Sequence, residues 1–431
     1  MPTPASPARA WLTVAVLMLM YVVSYLDRFI ISLMVEPIKQ SLAIDDFGIG
    51  LVHGLAFAIF YALFGLPMGW LVDRFPARKV VFCGMLAWSL AAAACGLAKN
   101  FMQLFGARLG VGAGEATLVP AANAIISKTF PPQRVALALA IFSSGSVLGS
   151  TLAYLAGGYI IGAAASWNTP DWLARFEPWQ LMFFITGLPG VALAFLAFAV
   201  PEHRSPAVGP DERQEQLPLM PYLAARRRYF TCSLLGVSLV AVLAYGTATW
   251  APSFLIRHHG LPVHEVATLL GISSLIGGSA GFIFAGWAAD RLFLAGRHDA
   301  HLLPILYALP IALIVASINF LWVESVAVFA VLYGLTQFLL PMATAIGAHI
   351  QLATPPAMRG RAAALKITVE QLLGISVGPA LVAAITEFGL RDPARVGHSI
   401  VLMYVGLVPI AIVILALGRR PAREALRETL A

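Results

Sequence analysis

The stretch GWLVDRFPARK, Gly69–Lys79, closes one long apolar run and opens the next. Its first six residues return as GWAADR, Gly286–Arg291, about half of the 431-residue chain further on. TFPPQR, Thr129–Arg134, has a looser echo in ATPPAMRGR, Ala353–Arg361. One such match is weak, but two in corresponding places are not. A repeat half the chain long predicts two like domains flanking a central site.

The runs between these echoes are membrane-spanning. The chain is 59% hydrophobic and only 11% charged, where a soluble chain carries about a quarter charged residues. Its mean hydropathy is +0.83. Helical crossing needs about 20 apolar residues. Six such runs are predicted at 11–34, 47–72, 78–98, 101–127, 134–162 and 178–200. Six more are predicted at 229–256, 263–292, 301–322, 325–352, 359–385 and 396–418. No alternating ten-residue strands of a barrel occur. The expected organisation is all-α: a first six-helix bundle (1–200), a polar linker (201–228), a second bundle (229–418) and a tail (419–431). The linker is rich in proline, glycine and mixed charge, and its basic end is expected at the inner membrane surface.

The net charge of +7 is topological and does not indicate nucleic acid. Arg9, Arg74, Arg78, Lys79, Lys128, Arg134, Arg204, Arg213, Arg226, Arg227, Arg228, Arg291, Arg297, Arg359, Arg361, Arg419, Arg420, Arg423 and Arg427 lie on one predicted side. The other side holds Lys39, Lys99, Arg175, Arg257, Arg391 and Arg395. This bias predicts a plasma (inner) membrane protein with both termini cytoplasmic. MPTPASPARA at the start does not read as a secretory signal. Cys83, Cys95 and Cys232 all fall within spans, which speaks against a disulfide framework or a zinc site. No metal or cofactor is expected.

RLGVGAGEATLVPAA, Arg108–Ala122, places an arginine and a glutamate inside the fourth span. Each charge at a span centre costs about 2.5–3.5 kcal/mol on insertion scales. Seven residues are about two turns, so Arg108 and Glu115 share a helix face. In the first span, Asp27 lies at a depth compatible with Arg108, and Arg28 can reach toward Glu115. A salt-bridge cluster that merely ties two helices is one reading. The other is a substrate and proton site, because intramembrane ionisable groups usually mark a pathway. Burial favours a protonated carboxyl and a neighbouring arginine the ionised form. An anionic headgroup that captured Arg28 or Arg108 would then favour protonation of Asp27 or Glu115. That scheme requires the four groups to face a water-filled vestibule.

These residues resemble the major facilitator superfamily. GWLVDRFPARK fits its inner-loop signature, with Pro76-Ala77 where a glycine is common. SYLDRFIIS (Ser24–Ser32), GWLVDRFPARKV and RLGVGAGEA (Arg108–Ala116) resemble its Spinster group of lipid transporters. The resemblance implies twelve helices in two pseudo-symmetric bundles, alternating access, and lysolipid or sphingoid-type substrates, sometimes coupled to protons. It assigns Gly69, Asp73, Arg74, Arg78 and Lys79 to an inner gate. The basic residues also serve as topology signals, while Asp73 does not.

Further cavity-lining candidates are Phe57, Tyr61, Asn123, Tyr245, Trp250, Gln337, Lys366, Glu370 and Gln371. Lys366 and Glu370 also fit a plain i,i+4 helical salt bridge. His53 and His349 read as packed residues. GGSAG, Gly277–Gly281, matches a nucleophile elbow in letters only, because that motif needs a strand-turn-helix setting. Small-residue helix packing explains it better. The expected protein is a monomeric secondary transporter and not an enzyme. Its partners are protons, membrane lipids and a small amphipathic or anionic substrate with an anionic or zwitterionic headgroup. The main alternative is proton-coupled transport of small organic anions or drugs; an intramembrane enzyme or a receptor is more remote.

Overall fold

A computed structural model describes residues 7–164, 175–201, 219–355 and 358–430, and among them there are helices and no strands. The surroundings of a few residues within the helices, including Gly69 and Asp73, lie outside the described set, as does most of the expected linker, residues 202–218. Among the described residues, twelve helices are long and apolar enough to cross a membrane. The first six are α1 (Ala8–Leu33), α2 (Asp46–Gly65), α3 (Ala77–Cys95), α4 (Phe101–Thr129), α5 (Leu137–Ile160) and α6 (Pro178–Ala199). The second six are α7 (Arg227–His259), α8 (Val263–Leu294), α9 (Ala300–Leu321), α10 (Val326–Leu352), α11 (Arg359–Leu390) and α12 (Pro393–Thr429). The shortest has 19 residues, about 28 Å of helix, against a hydrocarbon core of about 30 Å.

The chain divides into two compact units, Met1–Ala207 with Gly260–Gly271, and Val208–His259 with Ile272–Ala431. In the first, α1 packs on α5, α3 on α4 and α6, and α2 on α4. In the second, α7 packs on α11 and α12, and α9 on α10 and α12. Hence α1–α5 is matched by α7–α11, α3–α4 by α9–α10, and α3–α6 by α9–α12. The repeated hexapeptides mark a repeated packing scheme.

Beyond a core of aliphatic, small and aromatic residues, the helices also leave large apolar side chains outside. Leu63, Ile283, Ile314, Val331 and Val413 are each more than half exposed. In water such a surface would aggregate. Facing lipid, it costs nothing. GGSAG lies within α8, where Gly277 and Gly281 pack against the backbone carbonyls of Gly334 and Phe338 on α10. A Cβ would come within 2.1 Å and 2.4 Å of those oxygens, so the motif serves close helix contact.

The segment expected as a tail is helical as far as Leu430, continuing the helix Val396–Leu430. Its anchor is Asp299, in the turn between α8 and α9 and 1% exposed. Asp299 accepts from Arg419 Nε and Arg423 Nη2, both at 2.8 Å. Burial alone would raise this carboxyl's pKa, but the two arginines outweigh burial and hold it below the ordinary value. The end of the linker docks on the same helix. Arg226 pairs with Glu428 at 2.5 Å, and both Tyr222 and Thr429 donate to the Ala353 carbonyl. Arg226 is therefore tied to protein.

Candidate functional site

The first unit gathers the four intramembrane charges. Ser24 and Arg28 stand one helical turn apart on α1 and so share a face. Both reach Glu115 Oε2, Ser24 Oγ and Arg28 Nη2 each donating at 2.6 Å. Glu115 is the last residue of the α-helical piece Phe101–Glu115, and helix resumes only at Leu118–Thr129. Pro120 explains the interruption, since it has no N–H to offer the Ala116 carbonyl and its ring crowds that turn. A carboxylate at a helix C-terminus opposes the helix dipole, and the Arg28 guanidinium offsets this. The span predicted as continuous is thus broken where its glutamate sits.

Arg108 and Asp27 are placed together, but not as a carboxylate–guanidinium pair. Arg108 Nη1 donates to the Asp27 backbone carbonyl at 3.4 Å. Both Asp27 carboxylate oxygens, Arg108 Nε and Nη2, and Glu115 Oε1 are buried without a hydrogen-bond partner among the described residues. The cluster therefore retains unused donor and acceptor capacity. All four residues are closed off, with exposures of 1% (Asp27), 3% (Arg28), 1% (Arg108) and 2% (Glu115). The water-facing vestibule expected from the sequence is not open at these side chains in this conformation.

Aromatic rings enclose Arg28. Its guanidinium carbon lies 4.6 Å from the ring centre of Tyr25, 4.5 Å from that of Phe57 and 5.4 Å from that of Tyr61. Phe57 also lies 5.5 Å from the Arg108 guanidinium. Close helix contact sets this position: a Cβ on Gly112 would stand 2.2 Å from the Phe57 carbonyl oxygen. Just before Phe57, α2 contains a π-helical turn, Leu51–Leu55. Such turns often mark functional positions. It carries the buried His53, within electrostatic reach of Arg108 and Arg28.

The remaining predicted residues are distributed over both units. Arg74 and Lys79 are exposed and Arg78 is half-buried, while the surroundings of the gate candidates Gly69 and Asp73 lie outside the described set. Asn123 is exposed on α4. In the second unit, Lys366 pairs with Glu370 at 2.5 Å on one helix face. Tyr245 donates to Gln371 Oε1 at 2.9 Å, and Gln337 Nε2 to Ser274 Oγ at 3.2 Å. Trp250 is a packed interior residue whose indole donates to the Pro379 carbonyl at 2.9 Å. Sequence reasoning missed Ser24 and Tyr25. Their spacing from Arg28, four and three residues on one helix, was the available signal.

Twelve spans, a duplicated packing scheme and a buried charge cluster define a polytopic carrier. The chain belongs to the Major Facilitator Superfamily, whose model matches residues 17–379; it is a membrane transporter and not an enzyme. An MFS-type efflux pump of Mycolicibacterium smegmatis is 31% identical over 88% of this chain and 85% of that protein. Within the superfamily the chain is similar to Spinster proteins. Protein spinster homolog 1 of Homo sapiens is 32% identical over 59% of this chain and 47% of that protein. The fold is also that of a bacterial homologue of the human lysosomal transporter Spinster, crystallised inward-facing and unoccupied, with a TM-score of 0.77. That likeness comes at 23% identity and covers 99% of this chain and 98% of the other.

Proposed function

We propose that this transporter moves an amphipathic, lipid-like substrate of lysolipid or sphingoid type, with an anionic or zwitterionic headgroup, by proton-coupled alternating access. It does so as a monomer in the plasma membrane with both termini cytoplasmic. One observation carries the reading: Glu115 is held by Arg28 and Ser24 while Arg108 and Asp27 keep unsatisfied polar atoms beside it. An anionic group that engaged an arginine would draw on donors already in place and weaken the grip on a carboxylate, which would then take a proton. Coupling arises from competition for the guanidinium. The cluster is closed in the present conformation, so helix movement must open it, as alternating access requires. Asp73, Arg74 and Arg78 act at the inner gate.

The test is uptake into vesicles reconstituted with the purified protein, using lysolipids, sphingoid phosphates and organic anions with and without a proton gradient. Glu115→Gln mimics the protonated state and should lose the pH dependence of transport. If that variant keeps the parent's full pH profile, Glu115 is not the proton carrier. A second reading, proton-coupled transport of small organic anions or drugs, draws on the likeness to a hexuronate transporter of Bacillus subtilis, 28% identical over 63% of this chain. Uptake indifferent to acyl-chain length would favour it.

A further inference from the structure

Lys366 and Glu370 form an ion pair inside the second unit whose arrangement a helix-bracing role does not require. They meet at 2.5 Å on α11, with the lysine on the N-terminal side, the weaker of the two i,i+4 orders. Glu370 lies about 16 Å of helix beyond Arg359, where α11 begins, and so about halfway through a hydrocarbon core of about 30 Å. A lysine turned to lipid near a helix end snorkels its ammonium back to the interface. Lys366 does the opposite and reaches one turn deeper, to Glu370. Both side chains still keep accessible surface, 13% and 19%, so this pair is open where the cluster of the first unit is closed.

The surroundings are small and polar. The stem of Lys366 crosses α10 at Gly347, where a Cβ would stand 3.7 Å from Lys366 Cε and 3.8 Å from Nζ. In the first half of α10 the exposed positions include Val328, Val331 and Leu335, an apolar face suited to lipid. Around Gly347 the accessible positions are instead Thr344, Ala348 and Gln351. We infer that Lys366 is an anion-binding site for a small organic carboxylate taken from solution, with Glu370 as the internal carboxylate that the ligand replaces. The ligand accepts the ammonium bond that Glu370 gives up, and no covalent bond changes. The resident partner is itself a carboxylate, and one ammonium balances one carboxylate charge. Glu370 is the more accessible of the two, so its release strands no buried charge. The inference goes beyond the reading above and uses no step at Arg28 or Glu115.

The test is ligand-dependent thermal stabilisation of the full chain in dodecyl maltoside, at neutral pH and constant ionic strength, because a ligand of the folded state raises stability with its concentration. The probes are lactate and hexanoate, the neutral lactamide and the cation propylammonium. We expect both carboxylates to stabilise the chain and the other two to leave it unmoved. Lys366→Gln should weaken carboxylate binding about tenfold or more, the worth of one charge-assisted bond. Glu370→Gln should tighten it about tenfold, because the internal competitor is gone; a pair that only braces the helix gives no such gain. Absence of carboxylate stabilisation in the parent overturns the inference, as does lactamide or propylammonium binding as tightly as lactate. Carboxylate binding that survives Lys366→Gln, or that Glu370→Gln fails to tighten, overturns it too. Vesicle flux of a lysolipid is a separate readout. Its failure defeats the proposed substrate and leaves the Lys366 site standing, and the failure of the Lys366 site leaves that substrate untouched.

Discussion

The Arg28–Glu115 pair lends itself to a thermodynamic test. Glu115→Ala removes a charge-assisted bond of 2.6 Å and the acceptor for Ser24 Oγ, and it leaves a guanidinium that is 3% exposed without its counter-charge. Breaking a buried pair by deleting one partner costs about 3–5 kcal/mol. The rings of Tyr25, Phe57 and Tyr61 stay in place, and a desolvated cation–π contact is worth about 2 kcal/mol. We therefore expect a loss near the lower bound, about 3 kcal/mol. Replacing both charges with apolar groups of similar volume, Arg28→Met with Glu115→Leu, removes the uncompensated charge. That variant should come within about 1 kcal/mol of the parent, because such swaps are often neutral or better. The assay is a double-mutant cycle on equilibrium unfolding in mixed micelles, closed by the two matching single variants, Arg28→Met and Glu115→Leu. A coupling energy of about 2 kcal/mol or more is expected from residues in direct contact. If the losses of the two single variants simply add in the double variant, the pair is not a coupled unit and the reasoning fails.

Three further outcomes follow from geometry already described. Gly112→Leu forces α4 off the Phe57 backbone, an overpacking cost of about 1–3 kcal/mol, and should lower both thermal stability and substrate affinity; an unchanged affinity would dissociate Phe57 from binding. Trp250→Ala should cost about 3–5 kcal/mol through the cavity it leaves without altering substrate selectivity, checked by thermal denaturation beside a transport competition assay. Asp299 has a carboxyl held below its unfolded value of about 3.9, so its stabilising contribution is complete above that value and is lost as pH falls through the folded pKa. Acidification below about pH 4 should therefore raise hydrogen exchange in residues 419–429, and Asp299→Asn should show that exchange already at neutral pH.

Hydropathy alone located the twelve crossings, because lipid demands a continuous apolar run and the chain supplies each one. The i,i+7 spacing of Arg108 and Glu115 and the depth of Arg28 were likewise legible, and Arg28 does meet Glu115. What escaped depends on backbone irregularity and on distant partners. The break after Glu115 was foreshadowed only by Pro120, within a run that otherwise reads as one span. The π turn at Leu51–Leu55 rotates α2 by a fraction of a turn that no local composition reports. Asp299 meets arginines 120 and 124 positions away, and periodicity carries no such information. Asp27 at Arg108's depth suggested an ion pair, yet depth does not fix azimuth, and the backbone carbonyl takes the bond instead.

Pro421 lies inside the last helix, where a missing N–H makes a bend easy. Asp299 grips Arg419 on one side of that residue and Arg423 on the other, and so works as a splint across the weak joint. A helical fusion continued from Leu430 would inherit a braced mast instead of a loose tether. That gives a small carrier a fixed handle for a particle-aligning domain.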